Sequence, residues 1–174
     1  TVDEAFAGDI VGLFDPGIFS IGDTVCKGPH VQFPPIPAFS PERFARITQV
    51  NTLKRKQFVK GMHELAQEGA VQILREPGFG MESIIAGVVG VLQLDVLEQR
   101  LKTEYNVEVR RQGLPYTEIR WIENDPDEID TSRLNTTRDT LLVEDMRGNR
   151  LLLFTNSWNV NWAIEHNPEL RLSE

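Results

Sequence analysis

The sequence is poor in cysteine and in positive charge. Its 174 residues include a single cysteine, Cys26, which excludes an internal disulfide and any zinc site with several cysteine ligands. A lone cysteine is typical of a reducing compartment, so we expect a cytoplasmic protein. Lysine and arginine number 18 against 26 aspartates and glutamates, for a net charge of −8. This balance argues against nucleic-acid binding by the surface as a whole, because neutralising phosphates requires clustered cations, and we expect no DNA partner.

Long apolar runs are also missing. The longest, Ile84–Leu94, is interrupted by Gly87, Gly90 and Gln93 and falls well short of the roughly 20 residues of a membrane-spanning helix. The first residues show no basic-then-apolar leader. We therefore expect no membrane partner. Hydrophobic residues make up 40% of the chain, which is enough for one globular core of ordinary size.

The sequence patterns of the common catalytic sites are absent as well. No Gly-x-x-x-x-Gly-Lys-Ser/Thr loop occurs, so the backbone nest that holds nucleotide phosphates is missing. The three histidines, His30, His63 and His166, lack the spacing of metal ligands. The acidic run 123–130 has neither the glycine nor the closing glutamate of a calcium loop. The sequence predicts no catalytic, metal or cofactor site, and hence no enzyme, within this chain.

The first part of the chain favours β-structure followed by a linker. Apolar residues alternate at 9–13 and 18–25 on either side of Asp15-Pro16-Gly17, which predicts a β-hairpin. A lone hairpin is marginal in water, so it suggests the end of a barrel whose other strands lie elsewhere. Prolines then crowd into 29–41 and mark a linker. We place the domain boundary between residues 36 and 37.

The second part alternates between strand and helix periodicity. The predicted elements are strand 44–50, helix 53–67, strands 70–74 and 83–89, helix 94–105, and strands 107–111 and 117–122. This order is that of a ferredoxin-like split βαβ domain, an antiparallel sheet with two helices on one face. The apolar stripes around Met62 and Leu97 should both cover that sheet. The predicted fold class is therefore α+β.

The tail adds an α/β extension to this domain. Asp125 before Pro126 predicts a helix start. The apolar runs 141–143 and 150–154 flank Arg147-Gly148-Asn149 and predict a hairpin. A last helix is expected over 158–166, ending before Pro168.

One charged cluster stands out in this acidic chain. Its members begin the first predicted helix or precede it: Lys54, Arg55, Lys56 and Lys60, with Arg43 and Arg46 upstream. Cations at a helix N-terminus oppose the helix dipole at a cost of a few tenths of a kcal/mol. The cluster is either a solvated face or a contact for a polyanion such as ribosomal RNA, which would position the domain without reading sequence.

Several segments resemble translational GTPases. Residues 7–13 and 21–24 resemble the closing strands of their second domain, a β-barrel, and residues 85–97 with 100–108 resemble their third domain. A more specific likeness is carried by Pro37-Ala38-Phe39-Ser40-Pro41-Glu42, Leu53-Lys54-Arg55-Lys56-Gln57 and Leu65-Ala66-Gln67-Glu68-Gly69-Ala70-Val71-Gln72. These resemble the bacterial peptide chain release factor 3 family. On this resemblance, residues 1–36 are the last strands of domain II with a linker, and 37–174 are domain III.

The resemblance implies a role in translation termination. It makes the chain the C-terminal, ribosome-docking portion of a GTPase that promotes departure of class I release factors from the ribosome. GTP, GDP and Mg²⁺ would then bind an N-terminal domain that lies outside this chain. The implied partners are a protein and the rRNA of the small ribosomal subunit, with class I release factors affected indirectly.

Alternative functions stay open at the level of sequence. One is domain III of another translational GTPase of the elongation factor G type, although residues 69–72 differ from what that family would place there. Another is a ferredoxin-like regulatory domain that senses a small ligand at a helix–sheet or dimer interface. A hydrolase is ranked last, since no nucleophile and base have suitable spacing.

Overall fold

In a computed structural model of the chain, the described residues are 2–16, 18–19, 22–31, 33, 40–80 and 83–174. The chain divides into two compact units, Thr1–Ile36 and Pro37–Glu174.

The described residues of the first unit form turns and irregular structure. The predicted hairpin is not formed by them: residues 9–13 are not a strand, and neither are the described residues of 18–25. Ser20, Ile21 and the proline-rich 34–39 lie outside the described residues. Ile10 is fully exposed and Phe14 is 92% exposed. The prediction failed because two strands without an adjoining sheet have no apolar face to bury.

The described residues of the second unit form an antiparallel sheet and three α-helices, which confirms the α+β class. The helices are α1 (Arg55–Gln67), α2 (Val91–Tyr105) and α3 (Ser157–His166). The strands are β1 (Arg43–Gln49), β2 (Gln72–Arg75), β3 (Ser83–Val88), β4 (Val109–Leu114), β5 (Glu118–Ile122), β6 (Thr140–Asp145), β7 (Arg150–Phe154) and β8 (Leu172–Ser173).

The first half of this unit is consistent with the predicted ferredoxin-like domain. Its strands are ordered β4-β1-β3-β2 and all their pairings are antiparallel. Met62 of α1 and Leu97 and Leu101 of α2 are buried in one core with Ile47 and Ile84 of the sheet. Both helices therefore cover the same face, as their apolar stripes predicted.

Left-handed residues end the first two helices. Gly69 follows α1 with φ at +75°, and Asn106 follows α2 with φ at +55°. Both conformations are left-handed, which glycine adopts freely and asparagine tolerates better than most residues. Each reverses the chain from a helix toward the strand that follows it.

The strand predicted at 117–122 is present as β5, but it does not pair with β4, the strand before it in the chain. β4 runs on through Gly113 to Leu114, which pairs with Phe44 of β1. Pro115 follows directly and has no N–H to continue the ladder. β5 then leaves this half of the sheet and pairs with β7 and β8.

The tail forms the second half of an eight-stranded sheet with the order β4-β1-β3-β2-β6-β7-β5-β8. The predicted hairpin is present as β6 and β7, with Gly148 at φ +85° in the turn. The predicted last helix is present as α3, which ends at His166.

A helix starting at Asp125 is not formed, and this prediction was wrong. Residues 126–128 make a turn, in which the Glu128 carboxylate accepts a hydrogen bond from the Asp125 N–H at 3.1 Å. The preceding Asn124 is buried, and its amide donates to the Glu169 carbonyl at 2.9 Å. These tertiary contacts hold the segment against the C-terminus and outweigh the helix-start pattern.

The sheet folds back on itself to make four layers. Phe44, Ile85, Val143 and Leu153 are buried together in a middle core, on the sheet face away from α1 and α2. A third core lies beneath α3 and contains alternate β7 residues, including Phe154. β7 is therefore covered on both faces, which explains its continuous apolar run 151–154. From one side to the other the layers are α1 with α2, the first half-sheet, the second half-sheet, and α3.

Within the residues that the structure describes, no helix is both long and apolar enough to cross a membrane.

Candidate functional site

The most distinctive surface of the second unit is the start of α1, where four cations of the predicted cluster lie on consecutive turns. We call Lys54, Arg55, Lys56 and Lys60 the basic segment. The 3₁₀ turn Thr52–Lys54 leads into this segment. Asn51 caps the turn, because its side-chain oxygen accepts a hydrogen bond from the Leu53 N–H at 3.0 Å.

The amphipathic pattern of α1 turns the basic segment outward. Phe58, Met62 and Leu65 are fully buried on one face of the helix. Lys56 and Lys60 are exposed on the other and lie four residues apart, which places them one above the other. The Lys60 ammonium is 3.7 Å from the Glu64 carboxylate, an exposed pair of the weak kind.

Lys54 has a structural role as well as a charge. Its ammonium donates to the carbonyl of Asn106, the left-handed residue that ends α2. The start of α1 and the end of α2 are thereby tied together. The backbone joins the same region, since the Val50 N–H donates to the Glu108 carbonyl at 2.9 Å.

The other two cations of the predicted cluster are not brought to the basic segment. Arg46 points to the sheet face opposite α1, where it pairs with Glu76 and donates to the Ser83 hydroxyl at 3.0 Å. Arg43 begins β1, whereas α1 follows its end, a separation of about 20 Å along the strand. Arg43 instead lines an open groove of about 540 Å³ with residues including Glu118 and Arg120.

Sequence reasoning missed one cation near the basic segment. Arg110 is exposed on β4 opposite Thr48, two residues beyond the Glu108 that bonds to Val50. Within the described part of the chain it makes no ion pair, whereas its neighbour Arg111 pairs with Asp95 and Glu98. The pair Arg110-Arg111 in an acidic chain could have indicated a further cation. Because successive strand residues point to opposite faces, only one of the two faces α2, and that one, Arg111, is neutralised.

The strongly perturbed titratable groups link the two helices on their outer side. Arg100 of α2 holds Glu68, just after α1, and Glu104, and its hydrogen bonds lower the pKa of both carboxyls. Burial, with a 2.7 Å hydrogen bond to Glu64, raises the pKa of Tyr105 to about 12. Because Arg100 reaches Glu68 and Tyr105 reaches Glu64, these groups cross-link the two helices.

The three histidines and Cys26 are all exposed. His166 stacks on Trp162 at the end of α3, and the Cys26 thiol lies 3.7 Å from the Pro29 carbonyl oxygen. Among the residues that the structure describes, no three histidine, cysteine, aspartate or glutamate side chains could jointly hold a metal ion.

The fold and this surface define an α+β module with cations displayed at one helix start. Comparison with known proteins identifies the class: the model of "Class II release factor RF3, C-terminal domain" matches residues 33–164. That match covers most of the chain. The chain therefore belongs to the family of class II release factor RF3 C-terminal domains, which confirms the resemblance predicted from its sequence.

Individual relatives agree with the family. A peptide chain release factor 3 from Symbiobacterium thermophilum is 45% identical over 169 residues, which cover 97% of this chain and 31% of the relative. One from Lactobacillus delbrueckii subsp. bulgaricus is 44% identical, with 99% and 32% covered. One from Gloeobacter violaceus is 42% identical, with 100% and 33% covered. The chain thus spans about a third of the length of these relatives.

Proposed function

We propose that this chain is the ribosome-docking C-terminal portion of a GTP-dependent peptide chain release factor 3 in the cytoplasm. The whole protein would promote dissociation of class I release factors from the ribosome during termination. Membership of the RF3 C-terminal domain family is the observation that carries the proposal. The outward-facing cations of the basic segment support docking on an RNA-containing partner, because phosphate contacts position a protein on nucleic acid.

In this proposal the chain contributes binding and geometry, and the chemistry occurs elsewhere. GTP hydrolysis needs a phosphate-binding loop with its Mg²⁺, and this sequence contains no such loop. GTP, GDP and Mg²⁺ would therefore bind in the N-terminal part of the whole protein. The four-layer second unit would act as a rigid platform that relays ribosome contact to that part.

The basic segment would meet the phosphates of small-subunit rRNA, and a small-subunit protein would complete the docking site. The net charge of −8 keeps the rest of the surface away from the polyanion, which orients the approach. Arg110, at the same end of the sheet, extends the set of candidate phosphate contacts. Arg46 is neutralised by Glu76 and is assigned to the fold instead.

Co-sedimentation with ribosomes over a range of salt concentrations tests docking. Lys56→Glu is the cleanest variant, because Lys54 also supports the end of α2. Its matched control is Arg147→Glu, an exposed arginine in the β6–β7 turn. We expect Lys56→Glu to weaken binding and to lower the slope of log affinity against log salt by about one per lost phosphate contact. Equal weakening by Arg147→Glu, or binding independent of salt, would contradict the proposal.

A chimera tests the role in termination. This chain would replace the matching C-terminal third of the Symbiobacterium thermophilum relative, and GTP-dependent dissociation of a labelled class I factor from terminated ribosomes would be measured. We expect dissociation, with a loss when Lys56→Glu is introduced. A chimera that binds ribosomes and GTP but leaves the class I factor in place would contradict this part.

A further inference from the structure

The outer face of α3 carries an aromatic and acidic surface that the proposed ribosome contact does not use. Trp158 is 64% exposed, and Trp162 stacks on His166 with ring centroids 3.8 Å apart and planes inclined by 12°. At 100° per residue, Trp158, Trp162 and Glu165 lie within about 60° of one another around the helix. We call these three residues with His166 the α3 face.

The core does not explain this exposure. α3 buries Val160 and Ala163 beneath its opposite side, and Asn159 fixes its start by donating to the Thr155 hydroxyl at 2.7 Å. Trp158 contributes little to that core, yet a largely exposed indole is the kind of side chain that dominates binding energy at protein interfaces.

The stacked pair is held in place before any partner arrives. The Nδ1 of His166 is 2.8 Å from the Trp162 carbonyl. The next residue, Asn167, is buried, and its amide donates to the carbonyls of Ala163 and Asn135, each at 2.7 Å. The rings therefore offer a preorganised surface, which lowers the entropy cost of binding.

The local charge indicates what would cover the α3 face. Between Arg150 and Arg171 the chain has no lysine or arginine, and its two carboxylates there are Glu165 and Glu169. Of the cations on neighbouring segments, Arg171 pairs with Glu128 and Arg133 with Asp130, while Arg138 is exposed on the loop whose Asn135 bonds to Asn167. A nucleic acid would find no free cation on this helix to neutralise its phosphates. Indole rings beside a carboxylate suit a cationic side chain instead, through cation–π attraction and ion pairing.

We propose that the α3 face binds an arginine- or lysine-rich protein segment, with one cationic side chain over Trp158 and a second, about two helical turns along, paired with Glu165. α3 and the basic segment lie on the two outermost layers of the second unit, separated by both half-sheets. One module can therefore hold a polyanion on one side and a basic polypeptide on the other. Binding at the α3 face does not require the proposed ribosome docking and is tested separately.

Fluorescence anisotropy of a labelled peptide alternating arginine and glycine, titrated with the whole 174-residue chain, tests the proposal. We expect saturable binding, and no binding of a peptide with citrulline in place of arginine. Trp158→Leu should weaken binding about fivefold, since it keeps apolar area but removes the ring quadrupole, and Trp158→Phe should weaken it less. Glu165→Gln should also weaken it, while Glu4→Gln, an equal change of charge at an exposed site in the first unit, should not.

Three results would overturn the proposal. One is equal affinity of the Trp158→Leu variant and the original chain, which would leave only general attraction to an acidic protein. A second is equal weakening by Glu4→Gln and Glu165→Gln. The third is binding of labelled oligouridylate that depends on Trp158, which would make the α3 face a base-stacking site. Unchanged circular dichroism of each variant ensures that losses are not caused by unfolding.

Discussion

Gly61 of α1 lies directly against the ring of Tyr105 of α2, so that a Cβ atom at position 61 would come within 2.8 Å of the Tyr105 Cγ atom. The Leu101 Cδ2 atom would be 2.9 Å away. Glycine inside a helix normally costs about 1 kcal/mol relative to alanine. Its presence here is explained by the close approach of the two helices that cover the first half-sheet.

Gly61→Ala is therefore expected to destabilise the protein despite the better helix propensity of alanine. Forcing a methyl group into a packed contact costs about 1–3 kcal/mol, and the propensity gain of about 1 kcal/mol offsets only part of this range. We expect a net loss of up to about 2 kcal/mol in the free energy of unfolding, measured with urea. In a double-mutant cycle, Gly61→Ala should cost less when Tyr105→Ala is already present. Stabilisation by Gly61→Ala alone would show that the helices separate without cost.

Arg100→Gln should make the free energy of unfolding less dependent on pH in the acid range. Arg100 lowers the pKa of Glu68 and of Glu104, so these carboxylates contribute stability above their unfolded pKa of about 4.3 and lose it as pH falls through their folded pKa values. The variant should be less stable at neutral pH, and the difference should vanish in acid.

Urea unfolding at a series of pH values measures this effect. Lys60→Gln serves as the control, because its partner Glu64 is 3.7 Å away and exposed. If Arg100→Gln and the original chain lose stability in parallel on acidification, the network does not contribute to folding.

The two tyrosines, Tyr105 and Tyr116, should titrate at unusually high pH. Burial raises the pKa of both, and that of Tyr105 reaches about 12. Since this folded pKa lies above the ordinary value of about 10, the contribution of Tyr105 to stability is complete below about pH 10 and is lost as pH rises towards the folded value. Absorbance of tyrosinate during alkaline titration measures it.

Glu64→Gln separates the two causes of the Tyr105 shift. Removing the carboxylate charge should lower the pKa of Tyr105 without restoring its ordinary value, because burial is the larger cause. Tyr105→Phe should abolish this part of the alkaline dependence. If either tyrosine titrates near its ordinary pKa in the folded original chain, the burial of that ring is refuted.

Arg46 should support the fold and leave ribosome binding unchanged. Its side chain is 27% exposed and that of its partner Glu76 is 17% exposed, so the pair is only partly screened by solvent. Glu76→Gln should lower the free energy of unfolding by about 1 kcal/mol. Arg46→Gln should bind ribosomes as the original chain does, whereas Lys56→Gln should bind more weakly. If both variants weaken ribosome binding equally, Arg46 belongs to the docking surface.

Sequence patterns anticipated the parts of the fold that depend on local geometry. The apolar stripes around Met62 and Leu97 predicted α1 and α2. These patterns failed where contacts with distant residues determine the local structure. Asp125 had a good helix-start pattern, but Asn124 is buried and bonds to Glu169 near the C-terminus, and residues 126–128 form a turn instead. The candidate site shows the same division, since the exposure of Lys56 follows from helix periodicity and the neutralisation of Arg46 depends on Glu76, thirty residues away.

The sequence by itself determined where α1, α2, α3 and most strands of the second unit form, because periods of 3.6 and 2.0 residues sort apolar from polar side chains without any distant partner. It also determined the family, through segments that this chain shares with its relatives. Only the tertiary structure decided that β5 pairs with β7, that the sheet folds back into four layers, and that the basic segment and the α3 face lie on opposite sides. Those outcomes depend on contacts between residues far apart in the chain, which no local pattern contains.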